Sequence, residues 1–218
     1  MKIEVGESLA LSWLRHVRRC QVVQINWKAT PDILVGVEDG PLGAVFDTIR
    51  RGFDEAAEPM PLVKKTASLK QWLQQGEVDA LGLKLRAGRV EEAIAVDIAF
   101  HEGGLQYGSK AETSARVAKK LLRTALLLRG PLALEAGTVV FASPKVSPAT
   151  AKAVVAALER VRAFASTVDV LRSVSFEVLI GDGFHEQILA KVLDTASDVA
   201  DTSELFLRSV QLVRLFDR

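Results

Sequence analysis

Residues 76–102 constrain the fold of this chain more than any other stretch. Within them, two apolar and β-favouring runs, 78–85 and 92–100, flank the polar, glycine-containing segment 86–89. Turn residues between two runs of this kind predict a β-hairpin. We therefore take this hairpin as the element around which the rest of the chain is arranged.

Two acidic residues interrupt the apolar runs of the hairpin. Asp79 lies early in the first run, and Asp97 lies late in the second. A carboxylate inside a buried strand costs free energy unless a partner compensates its charge. Two such carboxylates on adjacent strands suggest that a cation is held between them. The simpler alternative is that they pair with Arg89 or Lys84, or that they cap loops.

The composition bounds the class of protein. The 218 residues suffice for one domain with a sizeable core, and 49% hydrophobic with 25% charged residues is typical of a folded, water-soluble protein. Because the formal net charge is only +1, any surface that binds nucleic acid must be a local patch. The single cysteine, Cys20, excludes internal disulfides and cysteine-rich zinc sites. With neither a secretory signal nor an apolar run near ~18 residues, we expect a cytoplasmic protein without a membrane partner.

The other predicted elements follow from hydrophobic periodicity and capping residues. Before the hairpin we expect a helix over residues 7–19, a strand over 21–27 and short helices near 42–53 and 68–75. After it, Ser109 and Glu112 have the spacing of a capping box and predict a long helix that ends at residue 129. The last predicted elements are a buried strand over 138–142, a helix over 147–165, a strand over 174–180 and two final helices.

These elements predict an α/β fold with a mixed central β-sheet. The long helix between the third and fourth strands implies a crossover connection, and therefore parallel pairing beside the antiparallel hairpin. We expect a single domain over residues 1–218. Its core covers residues 6–28 and 76–142. A helical insertion covers 29–75, and a C-terminal α/β extension covers 147–218.

Short motifs accompany this order of elements. They are Gly6-Glu7-Ser8-Leu9-Ala10 with Trp13-Leu14, Asn26-Trp27-Lys28, Gly76-Glu77-Val78-Asp79 and Ala95-Val96-Asp97-Ile98-Ala99. In these motifs and in its αβββαβ order, the chain resembles the PD-(D/E)xK, or restriction-endonuclease-like, nuclease superfamily over residues 6–142, apart from the insertion. The resemblance implies a restriction-endonuclease-like core and a divalent-metal-dependent phosphodiesterase that acts on DNA.

The resemblance also implies a site for Mg²⁺ or Mn²⁺. Glu7, Asp79 and Asp97 match the acids that hold the metal and serve catalysis in that superfamily, and Glu102 at the strand end is a candidate additional ligand. Hard divalent cations prefer such oxygen ligands. During phosphodiester hydrolysis they activate water and neutralise charge on the phosphate.

The catalytic lysine of the superfamily is missing from its usual position, where this chain has Ala99. Strand alternation places His101 on the same face as Asp97, and Lys120 on the following helix is a second basic residue within reach. We expect one of these two side chains to take the catalytic role. The alternative is a catalytically inactive protein of this fold that serves as a nucleic-acid-binding or protein-assembly module.

Basic residues recur along one face of the long helix. Arg116, Lys119 and Arg123 are the candidate DNA-binding residues, although a solvated helix face is the ordinary explanation of such a stripe. Tyr107, in the glycine-rich loop before this helix, is available to stack or to form a hydrogen bond. The apolar residues of the last helix are compatible with a homodimer.

Overall fold

The structure, a computed structural model, describes residues 4–63, 67–199 and 202–216. The predicted domain limits at residues 1 and 218 lie outside these ranges. Within them the chain folds around the predicted hairpin, in one β-sheet with helices on both faces. None of the helices in the described ranges combines the length and the apolar character needed to cross a bilayer.

The hairpin consists of strands Val78–Arg86 (β2) and Arg89–Ile98 (β3). Ala87 and Gly88 connect them, with φ values of +49° and +75°. Positive φ at both positions of a two-residue loop is the type I′ turn, whose twist matches that of the flanking strands. The predicted hairpin and its turn are confirmed.

The sheet has five strands in the order of the sequence. Val22–Trp27 (β1) pairs with β2, and β2 with β3, in antiparallel fashion. Gly137–Ser143 (β4) is parallel to β3, and Val174–Ile180 (β5) is parallel to β4. The predicted α/β class and the mixed sheet are therefore confirmed.

The helices include most of those that periodicity and capping predicted. They are α1 (Val5–Ser12), α2 (Pro41–Ile49), α3 (Leu69–Gln74), α4 (Lys110–Arg129), α5 (Pro148–Ser166), α6 (Asp182–Phe184), α7 (Ala190–Thr195) and α8 (Leu205–Arg214). π-Helical turns extend α1 and α2 and join α6 to α7. The capping box of Ser109 and Glu112 starts α4 as predicted, because each satisfies a backbone N–H that the first turn leaves unpaired.

The two faces of the sheet carry different helices, and strand alternation decides which side chains meet which layer. Ala95 and Ala99 belong to the core that includes α4 and α5, whereas Val96 and Ile98 belong to the core that includes α1. Because successive side chains alternate across a strand, Asp97 lies on the α4 side. This assignment places the most buried acid of the hairpin beneath the longest helix.

The predicted insertion packs on the α4 side of the sheet. Phe46 of α2 and Trp72 of α3 are both buried, with their ring centroids 5.5 Å apart. Phe53 is also buried, and its ring lies edge-on to Phe164 of α5 at 5.2 Å. Aromatic pairs of this geometry stabilise a core beyond their buried area. The insertion is thus part of the main core.

The C-terminal helix α8 is attached to the opposite layer by a buried acid. Ser12 Oγ donates to Glu204 Oε2 at 2.6 Å, and Arg15 Nη1 donates to Glu204 Oε1 at 2.7 Å. Beyond this attachment, Leu215 and Phe216 are 63% and 82% exposed. The homodimer expected from this apolar surface stays a prediction.

Candidate active site

Asp79 and Asp97 are neighbours across β2 and β3. Ala80 pairs with Val96, so continuing the antiparallel register by one step sets Asp79 opposite Asp97. At this end of the hairpin the acceptor for a backbone N–H of β3 is a side chain of β2, because Ile98 N–H donates to Asp79 Oδ2 at 2.7 Å. Asp97 is 6% exposed. The two carboxylates therefore lie side by side in a largely dry environment.

Burial and the neighbouring carboxylate change the protonation of Asp79. Burial, reinforced by the negative charge of Asp97, raises the pKa of Asp79 to about 7. The hydrogen bond from Ile98 and the charge of Lys120 act in the opposite direction, and Glu7 adds a smaller rise. Negative charge at this point of the sheet is thus only partly compensated by the protein.

Lys120 of α4 supplies the nearest positive charge. Its Nζ donates a hydrogen bond to Asp97 Oδ1 and lies 6.0 Å from the centroid of the Phe141 ring. Burial disfavours the ammonium form, but attraction to Asp97, Tyr107 and Asp79 outweighs it, and the pKa of Lys120 is raised. Lys120 is therefore protonated at neutral pH.

The alternative pairing of the two acids within the hairpin is not observed. Lys84 Nζ binds Glu92 Oε2 at 2.7 Å, directly across the ladder. Asp97 instead pairs with Lys120, which comes from a different layer of the fold. The cation beside the acids is thus brought there by the crossover helix.

Glu7 reaches the same end of the sheet from the first turn of α1. Gly6 permits this approach, because a Cβ there would lie 3.0 Å from the Cβ of Phe100, just after β3. Asn26 Nδ2 donates to Glu7 Oε2 at 3.0 Å and holds the carboxylate at the end of β1. Glu7 is close enough to Asp79 for its charge to contribute to the raised pKa of that residue.

Asn26 lies at the site, although it was not among the residues that the sequence predicted to act there. Its φ is +53°, and it lies between Ile25, which pairs with Ala80, and Trp27, which pairs with Val78. Asparagine tolerates this left-handed conformation better than most residues. The Asn-Trp-Lys motif marked the position in the sequence, but nothing local indicated the contact with Glu7.

The other predicted catalytic residues lie farther out. Ala99, at the expected lysine position, is 4% exposed on the Asp97 face. His101 and Glu102 follow the end of β3 with exposed side chains. The His101 ring lies perpendicular to that of Tyr107, with centroids 5.9 Å apart, and the Glu102 carbonyl accepts a hydrogen bond from Lys145 at 3.0 Å.

The predicted basic stripe on α4 is only partly at the surface. Arg116 is exposed, and Lys119 is half-buried. Arg123 was expected beside them, but its Nε is enclosed and has no hydrogen-bond partner among the described residues. Burial lowers the pKa of Arg123, against the attraction of Asp97. Arg123 is thus half-buried like Lys119 and lies close to Gly76 at the entry to β2, and its role in DNA binding stays a prediction.

Two of the four predicted metal ligands are thus brought together, namely Asp79 and Asp97. Across the described part of the chain, no three His, Cys, Asp or Glu side chains are grouped closely enough to form a metal-binding cluster. Glu7 adjoins the pair without completing such a cluster, and Glu102 lies in the turn after β3. The local arrangement consists of two oxygen-donor carboxylates and one ammonium group.

A partly buried carboxylate pair beside a protonated lysine has a definite chemical capacity. The carboxylates can coordinate a hard cation, and the ammonium can neutralise charge that develops on a bound anion. Comparison with known proteins adds no assignment to this geometry: no protein-family model, no curated protein and no solved structure matches the chain.

Proposed function

We propose that this protein is a divalent-metal-dependent phosphodiesterase of the endonuclease type, acting on DNA. The observation that carries the proposal is the cluster of Asp79, Asp97 and Lys120 at one end of the sheet. The strand order supports the restriction-endonuclease-like αβββαβ core, since an antiparallel hairpin is followed by a crossover helix and a parallel strand.

The carboxylate pair fits a Mg²⁺ or Mn²⁺ ion. Burial and, after it, the negative charge of Asp97 raise the pKa of Asp79, and a bound cation would stabilise the carboxylate form against both. Asp79 and Asp97 would hold the ion, and Mg²⁺ commonly binds proteins through one or two carboxylates while keeping several waters. When bound, such an ion activates water and neutralises charge on a phosphate.

Lys120 takes the place of the lysine that is absent at Ala99. Because its pKa is raised, the side chain acts as a cation and not as a base at neutral pH. A protonated amine on the inner side of the site stabilises the negative charge that builds up on the phosphate oxygens. Its hydrogen bond to Asp97 sets its position before substrate arrives.

Glu7, held by Asn26, adjoins the carboxylate pair from the α1 layer of the fold. The Asn26 amide donates to one carboxylate oxygen of Glu7, and the same oxygen accepts the Glu4 N–H at 3.4 Å in the capping box of α1. In this position Glu7 can accept a hydrogen bond from a water molecule that attacks the phosphate. The DNA backbone is contacted by Arg116 and Lys119, on the helix that also carries Lys120.

Cleavage assays test the proposal directly. The full chain is incubated with supercoiled, single-stranded and branched DNA in Mg²⁺, Mn²⁺ or EDTA, and products are resolved on gels. We expect metal-dependent cleavage that Asp97→Ala abolishes. Asp169→Ala is the matched control, because the Asp169 side chain is 88% exposed and forms a surface ion pair with Arg172 three residues later.

Two results would contradict the enzyme assignment. Cleavage that survives Asp97→Ala would assign the activity to another site or to a contaminant. Metal binding without cleavage of any of the three DNAs would instead favour the alternative, a nuclease-fold protein that binds nucleic acid or assembles with other proteins without catalysis.

A further inference from the structure

A second cleft borders the candidate active site on the α4 side. It has a volume of 620 Å³ and lies between the insertion, at residues 61–63, and the first turns of α4. We call it the insertion cleft. Sites for small molecules in proteins commonly span ~300–1,000 Å³, so the cleft has room for a flat ring system.

One wall of the insertion cleft is apolar and firmly held. Pro61, Leu62 and Val63 form it, and the backbone N–H groups of Leu62 and Val63 donate to the two carboxylate oxygens of Asp54 at 2.6 and 3.1 Å. The Leu62 carbonyl also accepts a hydrogen bond from Trp72 Nε1 at 3.3 Å. Leu62 and Val63 are themselves buried, so Pro61 supplies the exposed apolar surface of this firmly held wall.

The opposite wall is aromatic and basic. Arg116 places its guanidinium 4.6 Å from the centroid of the Tyr107 ring, and Lys119 lies one turn farther along α4. The acid in this wall is Glu112, whose carboxylate accepts the Ser109 N–H at 2.7 Å in the capping box. Its charge is therefore directed to the start of the helix, and the Arg116 guanidinium is the cation that this wall places over the Tyr107 ring.

Tyr107 connects the insertion cleft to the carboxylate pair. Its backbone N–H donates to Thr113 Oγ1 at 3.0 Å, which fixes the residue at the mouth of the site. The Tyr107 ring also contacts that of His101, just after β3, with the ring centroids 5.9 Å apart. A ligand on Tyr107 would thus lie beside the end of the strand that carries Asp97, next to the turn of α4 that carries Lys119 and Lys120.

We infer that the insertion cleft receives one unpaired nucleobase of the strand whose phosphate lies at Asp79 and Asp97. Nucleobases stack on tyrosine rings and on arginine guanidinium planes, and the apolar wall suits the other ring face. A base-paired nucleotide has its ring inside the duplex and cannot enter. The inference rests on the proposed function and narrows its substrate class to DNA that is single-stranded or locally unpaired.

Binding without metal tests the inference independently of catalysis. Fluorescence anisotropy in EDTA compares a labelled single strand of about 20 nucleotides, its duplex, and the same duplex with one bulged nucleotide. We expect the wild type to bind the single strand and the bulged duplex ~10-fold more tightly than the plain duplex. Tyr107→Leu combined with Arg116→Ala removes this preference.

Two further variants keep the result interpretable. Arg116 is exposed, so Arg116→Ala alone leaves the core intact and is expected to lower the preference several-fold. Arg208→Ala is the matched control, because Arg208 is exposed on α8 at the opposite face of the sheet, and it retains the full preference.

The inference is overturned by equal affinity for the three DNAs, by no binding to any of them, or by a preference that survives the double variant. Failure of the proposed function gives a different result. Preferential binding of unpaired DNA with no cleavage in Mg²⁺ or Mn²⁺ would contradict the phosphodiesterase activity and support an unpaired nucleobase as the ligand of the insertion cleft. Cleavage of plain duplex, with no preference for unpaired DNA, would support the phosphodiesterase activity and contradict the nucleobase as the ligand of the insertion cleft.

Discussion

The ammonium of Lys120 on α4 and the carboxylate of Asp97 on β3 form an ion pair under the crossover helix. The Asp97 side chain is 7% exposed and that of Lys120 is 24% exposed, so the pair has one enclosed partner and one that reaches solvent. The position two residues after the acid, where a lysine would extend from the same strand, is occupied by buried Ala99. The cation beside the acid thus depends on how α4 packs on the sheet.

Replacing Lys120 should separate catalysis from metal binding. We expect Lys120→Met to reduce the rate of DNA cleavage ~10²–10³-fold, the scale for loss of one preorganised charge-stabilising donor. Divalent ions should bind at least as tightly as in the wild type, because a competing cation has been removed from Asp97. Single-turnover cleavage and isothermal titration calorimetry measure the two effects, and parallel loss of both would contradict the role given to Lys120.

The carboxylate of Asp79 should reduce the stability of the fold at neutral and alkaline pH. Its pKa is about 7 in the folded protein against an ordinary value of 3.8, so the folded state holds a proton that the unfolded state has lost between these values. Stability contributed by this group therefore falls as pH rises from about 4 to 7 and stays low above that range.

Asp79→Asn should therefore stabilise the protein. The asparagine oxygen still accepts the Ile98 N–H, and we expect the free energy of unfolding to rise by about 2–4 kcal/mol near pH 8, with a gain that vanishes near pH 4. Urea denaturation across this pH range checks the result. Asp169→Asn is the exposed control and should change stability by less than about 0.5 kcal/mol at every pH. A constant difference between wild type and Asp79→Asn would be inconsistent with the raised pKa.

Metal affinity should depend on pH for the same reason. A coordinating carboxylate must be deprotonated, so each pH unit below about 7 should weaken Mg²⁺ or Mn²⁺ binding up to about tenfold, with release of a proton. Calorimetry in two buffers of different ionisation enthalpy counts that proton. In Asp79→Asn the affinity should be low and should no longer change between about pH 6 and 8. Strong binding by the double variant Asp79→Asn/Asp97→Asn would place the metal elsewhere.

Asn26 allows a test of how Glu7 is positioned. Asn26→Gly removes the amide that binds Glu7 and keeps the φ of +53° accessible, whereas Asn26→Ala removes the same amide but leaves a residue that tolerates this left-handed conformation less well than asparagine. Both variants should lose about tenfold in cleavage rate with little change in DNA affinity. The alanine variant should be less stable than the glycine variant by about 1 kcal/mol in urea denaturation. Equal stability, or full activity of the glycine variant, would argue against this function of Asn26.

The features that were predictable from the sequence are those set by local residues. The Ala87-Gly88 turn, the Ser109 cap and strand Val174–Ile180 each follow from residue types in a short window, and all three are present. The alignment of Asp79 with Asp97 does not follow from the turn alone, because a bulge between Lys84 and Leu85 shifts the register of the hairpin by one residue. Helical periodicity places Lys120 only at the margin of the buried face of α4, and its pairing with Asp97 depends on how α4 packs on the sheet.

Contacts between distant segments were not predictable. Helical spacing alone places Arg123 with the exposed residues of α4, and what encloses it is Gly76, where a Cβ would lie 3.2 Å from Arg123 Nε. The left-handed backbone of Asn26 inside a strand, and its hydrogen bond to Glu7, likewise depend on where the first turn of α1 docks. Hydrophobic periodicity carries no information on the contact of Gly76 with Arg123 or on that of Asn26 with Glu7.

The groups around the carboxylate pair come from both sides of the sheet, Glu7 with the α1 layer and Lys120 with the α4 layer. A chain in which only one layer has docked lacks one of them and holds the acids in a less enclosed setting. Under the proposed function, such a folding intermediate cannot cut DNA. Under that proposal, cleavage activity would report that both helical layers have docked on the sheet.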